Sequence, residues 1–423
     1  MITKISNLYH SLPNKFWTLA FGMFIDRLGG ALIFPFFALY ITQHFNVGMT
    51  QVGILLFFFS VSSLVGQTIG GALTDKYGRK KLIIFSLIMS ASSTVLMGLV
   101  DDLRTFYVLA ILVGILADTG GPAYMAMISD LLPENKRSEG FAVLRVTANL
   151  AVTIGPLIGG LLAGVNYLLL FIIDAIMSTI TAGIILFKLP ETMPAKAEES
   201  ASGMSLGKTI IGYIVVFKDR LYMVFILVSI ISVIVYLQMN STLSVYLLKV
   251  HDIPPKGFGY ILSLNAAMVV AFQYWISRGL KKVPPMVIMM LGNLLYAIGF
   301  GLYGVISAYW MMLAAMAIIT IGEMFTVPVA QTIVSYFAPE EMRGRYMAIF
   351  GYAWILPSAI GPLLAGFIMD NTNPNWVWYG SFILALISAV GYWGIHLKAG
   401  HKFSSAEEVS QIKDNPALPL VEQ

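Results

Sequence analysis

Residues 122–160 read PAYMAMISDLLPENKRSEGFAVLRVTANLAVTIGPLIGG, and residues 328–366 read PVAQTIVSYFAPEEMRGRYMAIFGYAWILPSAIGPLLAG. The two stretches align without a gap at an offset of 206 residues (328 minus 122), which is about half the chain of 423. Each is an apolar run, a short charged turn and a second apolar run that ends near a Gly-Pro pair. A constant offset over such a length indicates a duplicated unit, and duplication of this kind places a site between the two copies.

The composition indicates that these units lie in a membrane. Hydrophobic residues make up 58% of the chain and charged residues only 11%, with a mean hydropathy of +0.80. Soluble domains carry about 25% charged residues. There is no cysteine, which excludes disulfides and thiolate metal sites. We expect no metal, no cofactor and no nucleic-acid partner, and we assign the net charge of +4 to membrane loops.

Hydropathy predicts twelve membrane spans, of which the first is Trp17–His44 and the last is Trp376–Leu397. Span four is predicted as continuous over Thr105–Leu132, and span seven over Leu221–Val250. The predicted fold is therefore an all-α integral membrane protein with twelve transmembrane helices in two pseudo-symmetric six-helix halves. The predicted parts are an N-terminal half (1–189), a cytoplasmic linker (190–220) with an amphipathic helix at 206–217, a C-terminal half (221–397) and a cytoplasmic tail (398–423).

The loop charges predict the orientation. Most lysines and arginines fall on the side that holds both termini, whereas the opposite side has Arg104, Lys249 and Lys256. Positive loops stay in the cytoplasm. We therefore predict a multi-pass protein of the plasma membrane with both termini in the cytoplasm.

Span two ends in the stretch Gly71-Ala-Leu-Thr-Asp75-Lys76-Tyr77-Gly78-Arg79-Lys80-Lys81. This stretch is similar to the signature that joins the second and third helices in the major facilitator superfamily. Gly78 permits a tight turn, and Asp75 sits at a helix end where it can face the positive N-terminus of another helix. Arg79 can pair with Asp130. The predicted cytoplasmic gate consists of Gly71, Asp75, Gly78, Arg79, Asp130 and Arg145.

Three further stretches resemble a subgroup of that superfamily. Ala151-x-x-x-Gly155-Pro156-x-x-Gly159-Gly160 resembles the motif that marks antiporters, and Leu28-Gly29 followed by Pro35 resembles twelve-helix drug:proton antiporters. Ile321-Gly322-Glu323 followed by Pro328 resembles bacterial multidrug exporters. Ala110 stands where that subgroup has an arginine, so its proton relay does not carry over whole.

Several ionisable residues lie inside the predicted spans, where an ionised side chain costs at least about 2.5–3.5 kcal/mol unless it faces a partner or a cavity. We expect Glu323 to carry the proton, followed by Asp118. Arg27 is expected to pair with Asp26, and Asp174 to be a satisfied polar residue or an access-path group. The predicted proton-coupling residues are Glu323, Asp118, Asp26 and Arg27.

The sequence favours a monomeric secondary transporter that exports small lipophilic compounds in exchange for protons. Its expected partners are a small-molecule substrate, protons and membrane lipid. Alternatives are a lipid, lysolipid or sugar exporter, a proton-coupled importer, and a non-transporting sensor. His-Glu-x-x-His does not occur, and the Gly-x-Ser-x-Gly match at Gly203-Met-Ser205-Leu-Gly207 lies in the polar linker with no predicted strand before it. An enzyme is therefore not expected. The predicted substrate-cavity residues are Pro35, Tyr236, Gln238, Asn240, Asn265 and Phe325.

Overall fold

The computed structural model describes residues 11–193, 215–339 and 342–399. Helices are the regular structure throughout these ranges. In chain order they are α1 (Asn14–His44), α2 (Met49–Tyr77), α3 (Arg79–Leu99), α4 (Leu103–Ala117), α5 (Gly120–Leu131), α6 (Arg137–Ala163), α7 (Leu168–Lys188), α8 (Arg220–Ser241), α9 (Leu243–His251), α10 (Pro255–Gly279), α11 (Pro285–Tyr303), α12 (Tyr309–Phe337), α13 (Arg343–Asn371) and α14 (Trp376–Ala399). Short 3-10 turns precede α6 and α11.

Twelve segments of the described chain are long and apolar enough to cross a membrane. They contain 19 to 31 residues, which at about 1.5 Å per residue suffices for a hydrocarbon core of about 30 Å. The prediction of an all-α membrane protein with twelve spans is therefore confirmed. The predicted amphipathic segment 206–217 and the tail 398–423 lie almost entirely outside the described residues.

Two spans that the sequence predicts as continuous are interrupted. Span four consists of α4 and α5, which are separated by Asp118 and Thr119. Span seven consists of α8 and α9, which are separated by Thr242. Neither interruption contains proline, the usual marker of a helix break. The dihedral angles of Asp118, Thr119 and Thr242 stay in the right-handed helical region, so each interruption is a local irregularity within a span that keeps its direction.

The chain divides into two compact units, the first of which takes in residues from both predicted halves. The division into two six-helix halves remains a prediction. Unit 1 takes in the described parts of residues 1–205 together with Leu237–Ala267 and Ile355–Val377. Unit 2 takes in the described parts of residues 206–236 with Met268–Trp354 and those from Trp378 onward. Helices α8, α10 and α13 are therefore each shared between the units.

In unit 1, α1 packs along α6 and α7, and α3 packs along α7, α4 and α5. Its apolar core includes Phe16, Ile83, Met127 and Ile185, each completely buried. In unit 2, α11 packs along α12. In lipid, such packing depends on close van der Waals contact, because the lipid tails are as apolar as the side chains.

Candidate functional site

Because the number of spans is even, both termini lie on one side of the membrane, here called the terminal side. The loops 45–48 and 372–375 lie on the other, here called the far side. The candidate functional residues fall into five groups, one on each side and three at membrane depth.

A charged cluster surrounds the turn between α2 and α3 on the terminal side. Gly78 has a φ of +94°, which side chains other than glycine rarely adopt. The Arg79 Nε donates to Asp130 Oδ2 at 3.2 Å, so the structure contains the pairing suggested by the sequence. The nearest Arg79 nitrogen is 4.0 Å from Asp75, whose side chain is 68% exposed.

Glu191 completes this cluster and was missed by the sequence analysis. Its carboxylate accepts hydrogen bonds from the backbone N–H groups of Arg79, at 2.9 Å, and Lys80, at 3.1 Å. It therefore caps the N-terminus of α3, where a negative charge is favoured. A Cβ on Gly78 would lie 2.5 Å from the Glu191 carboxylate. The only sequence signal was an acidic residue just after a span, which is common in loops.

Two other residues of the predicted gate lie elsewhere. Gly71 faces open space, with no atom within 4 Å of an added Cβ. Arg145 is exposed in the first turns of α6. The gating role of the six residues remains a prediction.

Two carboxylates lie close together inside unit 1, where α1 meets α7. Ser178 of α7 donates to Asp26 Oδ1 at 2.9 Å, and a Cβ on Gly29 would lie 2.5 Å from Asp174 Oδ1. Asp174 is 7% exposed. It lies near Thr94 and close enough to Asp26 for the two negative charges to repel each other. Asp26 and Asp174 therefore form a pair, which the sequence did not predict.

Arg27 does not form the ion pair with Asp26 that the sequence suggested. Its side chain is exposed, and it acts on Asp26 from beyond ion-pair distance. Within the described residues, neither Asp26 nor Asp174 forms an ion pair. Tyr124 of α5 directs a phenol towards the same region, and this buried oxygen has no hydrogen-bond partner.

Asp118 lies at the interruption between α4 and α5, beside an apolar cavity of unit 1. The side chain of Ser63 in α2 lies near Asp118, and the positive charge of Arg27 acts on this carboxylate from beyond ion-pair distance. The cavity has a volume of about 190 Å³. Its lining residues are Phe34, Leu56, Phe59, Ser60, Ser63, Leu64, Gln67, Leu237, Ser241, Ile355, Ser358 and Pro362. Ser63 thus connects the cavity wall to a membrane carboxylate. This arrangement suits an apolar ligand with one polar or cationic group.

The residues predicted to line a substrate cavity are not part of this wall. Pro35 and Gln238 are buried in unit 1, where Thr242 is hydrogen-bonded to Gln238. Asn240, Asn265 and Phe325 are partly buried. Their role as substrate contacts remains a prediction.

Glu323 lies in the middle of α12, inside unit 2. Tyr236 of α8 donates its hydroxyl to Glu323 Oε1 at 3.0 Å. The ring of Trp354 meets the Tyr236 ring edge-on, with centroids 6.0 Å apart. One helical turn after Glu323, the hydroxyls of Thr326 and Tyr296 are hydrogen-bonded at 2.9 Å. Glu323 is therefore surrounded by tyrosine and tryptophan side chains.

The glycines of the antiporter-like motif lie on two faces of α6. A Cβ on Gly155 would lie 2.7 Å from the Ala31 carbonyl carbon, and Gly159 packs against Leu32 of the same helix, α1. A Cβ on Gly160 would instead lie 2.8 Å from the Gly259 Cα of α10. Gly160 and the Pro156 carbonyl oxygen, which would lie 3.3 Å from a Cβ on Gly259, meet the second repeat, whereas Gly155 meets α1. Five residues turn a helix by about 140°, so Gly155 and Gly160 face different neighbours. Pro156 lies within the helix, which continues past it.

A second contact between helices of the two repeats lies on the far side, within unit 1. The backbone N–H groups of Met49 and Thr50, which begin α2, donate to the Asp370 carboxylate at 3.0 and 2.7 Å. Asp370 belongs to the last turn of α13. A Cβ on Gly53 would lie 2.8 Å from the Leu363 backbone nitrogen. Asp370 thus caps α2 where the two backbones are nearly in contact.

The family model for the Major Facilitator Superfamily matches residues 19–354 and 285–421. The chain belongs to the major facilitator superfamily. It is therefore a multi-pass membrane transporter and not an enzyme. Within the described residues, no group of three or more His, Cys, Asp or Glu side chains could hold a metal ion.

Two curated relatives within the superfamily have assigned activities. The chain is 28% identical to a Na(+), Li(+), K(+)/H(+) antiporter of Planococcus maritimus, over 89% of this chain and 94% of the relative. It is 26% identical to the class H tetracycline resistance protein of Pasteurella multocida, over 87% of this chain and 93% of the relative.

Solved structures of other transporters have the same fold as this chain. The nucleoside transporter NupG has a TM-score of 0.76 at 14% identity, over 90% of this chain and 100% of that one. A peptide transporter POT in complex with alafosfalin has a TM-score of 0.74 at 16% identity, over 93% and 96% of the two chains. At these identities the likeness shows the fold alone.

Proposed function

We propose that this chain exports small lipophilic compounds in exchange for protons, with Glu323 as the proton carrier. The observation that carries the proposal is the position of Glu323 in the middle of α12, hydrogen-bonded to the Tyr236 phenol at 3.0 Å. A carboxylate at such depth is stable when it is protonated or when it accepts hydrogen bonds. Tyr236 can donate to the ionised form and accept from the protonated form, so both states of the cycle can be accommodated.

The apolar cavity of unit 1 supports a lipophilic substrate. Its wall is mainly carbon, with five polar side chains, and Asp118 lies directly behind Ser63. A substrate with a positive charge would gain from that carboxylate. The tetracycline resistance relative is consistent with drug export, and the positive loops favour termini in the cytoplasm of the host cell.

The energy balance permits this exchange. One charge that crosses about 100 mV supplies about 2.3 kcal/mol, which corresponds to a substrate gradient of roughly 40-fold. A single proton is therefore sufficient to drive export against a substantial gradient.

Purified protein in liposomes tests the proposal. The vesicles contain ethidium or tetracycline, and a pH gradient is imposed across the membrane. We expect the substrate to move against its own gradient and opposite to the protons, and a protonophore to abolish this movement. A substrate flux that is unaffected by the pH gradient would exclude proton coupling.

A second candidate function is monovalent-cation/proton antiport, as in the Planococcus maritimus relative. It is favoured by the Asp26 and Asp174 pair, since two neighbouring carboxylates with hydroxyl groups suit a small hard cation. Addition of Na⁺, Li⁺ or K⁺ to vesicles that contain a pH-sensitive dye should then release protons, and Asp174→Asn should reduce this release. An equal response to choline chloride would exclude this candidate.

A further inference from the structure

Polar side chains follow one face of α8 inside unit 2. Tyr222, Ser229, Ser232 and Tyr236 are three, four or seven residues apart, which places them on one side of a helix. Tyr222 is completely buried, and the two serines are 3% and 5% exposed. Burial of a hydroxyl costs free energy unless the hydroxyl has a hydrogen-bond partner. We therefore expect polar groups on the helices that face this row.

Tyr392 of α14 supplies one of these polar groups. Its hydroxyl lies 3.0 Å from Ser229 Oγ, and the Ser232 side chain lies near it. Tyr392 is completely buried. On the far-side end of the row, Tyr236 reaches Glu323 at 3.0 Å. The proposed carrier and Tyr392 are therefore both connected to the same face of α8.

A small cavity of about 30 Å³ lies among these groups. Six of its lining residues bear hydroxyls, namely Ser229, Ser232, Tyr236, Tyr296, Thr326 and Tyr392. A water molecule needs about 10–15 Å³ of this volume and two to four polar partners. The cavity meets both conditions for one water.

The row continues towards the terminal side after an apolar interval. Tyr222 donates to the Tyr346 carbonyl at 2.6 Å, and the Tyr346 hydroxyl donates to Asp219 Oδ2 at 3.1 Å. Phe225 occupies the interval, with its ring centroid 6.2 Å from that of Tyr222 and 6.1 Å from that of Tyr392. The hydroxyl groups thus form an inner set at the cavity and an outer set that ends at Asp219.

We infer that this cavity binds water and that protons reach and leave Glu323 through it, within unit 2. The inference rests on the proposed role of Glu323. In the loading step, a hydronium in the cavity gives a proton to the Tyr236 oxygen. At the same time the original Tyr236 O–H bond breaks, and that proton forms a new O–H bond with the Glu323 carboxylate. The hydronium becomes water, Tyr236 regains its hydroxyl and Glu323 becomes neutral. Release is the reverse. Tyr236 relays the proton, and Tyr392 is a positioning residue.

Two variants test the inference in proteoliposomes. Tyr392→Phe removes one hydroxyl without changing the ring, and the double variant Ser229→Ala, Ser232→Ala leaves Tyr392 in place. Each should slow pH-driven export at least about 100-fold, the lower end of what a lost proton-transfer group costs. Substrate counterflow, which moves no net protons, should match the wild type. Tyr303→Phe is the matched control, because this buried tyrosine bonds to the Met312 carbonyl at 3.0 Å, away from the row.

The ratio of export rates in H₂O and D₂O separates a proton path from a structural role. It should rise in Tyr392→Phe and in the double serine variant, because proton transfer becomes the slow step, and should stay constant in Tyr303→Phe. Wild-type export and an unchanged isotope ratio in both variants would overturn the inference, even if Glu323→Gln abolishes coupling. If Glu323→Gln itself exports like the wild type, the proposed function fails and the inference fails with it.

Discussion

Single carboxylates within the membrane differ in what surrounds them. Glu323 accepts a hydrogen bond from a tyrosine, Asp26 accepts one from a serine beside a second aspartate, and Asp118 lies near a serine of a cavity wall. An uncompensated charge at this depth costs at least about 2.5–3.5 kcal/mol. These different partners are consistent with a division of roles, in which one carboxylate carries the proton and another meets the substrate.

Asp118→Asn should weaken the binding of cationic substrates by roughly tenfold, because one attractive charge near the cavity is lost. Neutral substrates of similar size should bind almost as in the wild type. Equilibrium binding to purified protein measures both. Ser63→Ala is the control for the polar wall, since it leaves the charge in place. An equal loss for neutral and cationic ligands would assign Asp118 to structure instead of substrate recognition.

At the scale of helices, close contacts and capped helix ends hold neighbouring helices together. On the far side, Gly160 of α6 meets Gly259 of α10, and Asp370 of α13 caps α2. On the terminal side, Glu191 caps α3 beside the Arg79–Asp130 pair. Each contact depends on a glycine or on a carboxylate at a helix N-terminus, so each can be tested by a single substitution.

Gly160→Leu should abolish transport while expression and insertion stay near normal. The added side chain would meet the α10 backbone, because even a Cβ would lie 2.8 Å from the Gly259 Cα. Gly183→Leu is the matched control, since nothing lies within 4 Å of a Cβ at that position of α7. Transport by Gly160→Leu at the rate of Gly183→Leu would show that this close contact is dispensable.

The Asp370 cap on the far side and the predicted gate on the terminal side predict opposite effects on one distance. Spin labels at Val165 and Thr372, both exposed on the far side, report closure. Asp370→Ala should increase the long-distance population about fivefold, because replacement of a capping side chain by alanine costs about 1 kcal/mol. Asp75→Asn, in the predicted gate, should favour the short distance.

Identical distance distributions in both variants and the wild type would contradict the roles of Asp370 and Asp75 in closing the two sides. Glu139→Gln serves as the control, because Glu139 pairs with Lys136 on the terminal surface at 2.9 Å. A shift in only one of the two variants would mean that only that residue stabilises the closed form of its side.

For the whole molecule, the sequence was sufficient to predict twelve helical spans, because apolar runs of membrane length need no tertiary information. Membership of the superfamily could likewise be anticipated from the Gly71–Lys81 stretch. The interruptions at Asp118 and Thr242 could not be predicted, since hydropathy is unaffected by them. The pairing of Asp26 with Asp174, 148 residues apart (174 minus 26), depends on how α1 and α7 pack. The contact between Tyr236 and Glu323 likewise joins distant helices.

The orientation of the whole chain can be tested with single cysteines, because the natural sequence has none. Val165→Cys, on the far side, should react with a membrane-impermeant maleimide in intact cells. Lys398→Cys, at the end of α14, should react only after permeabilisation, since the positive loops favour the cytoplasm. The reverse pattern would invert the predicted orientation.

Proton release on substrate binding tests the central claim most directly. A weakly buffered solution of purified protein is mixed with ethidium or tetracycline, and a pH-sensitive dye records the protons released. We predict that the wild type and Glu139→Gln release protons, while Glu323→Gln binds the same substrate and releases almost none. Equal proton release by Glu323→Gln and the wild type would contradict the assignment of Glu323 as the carrier.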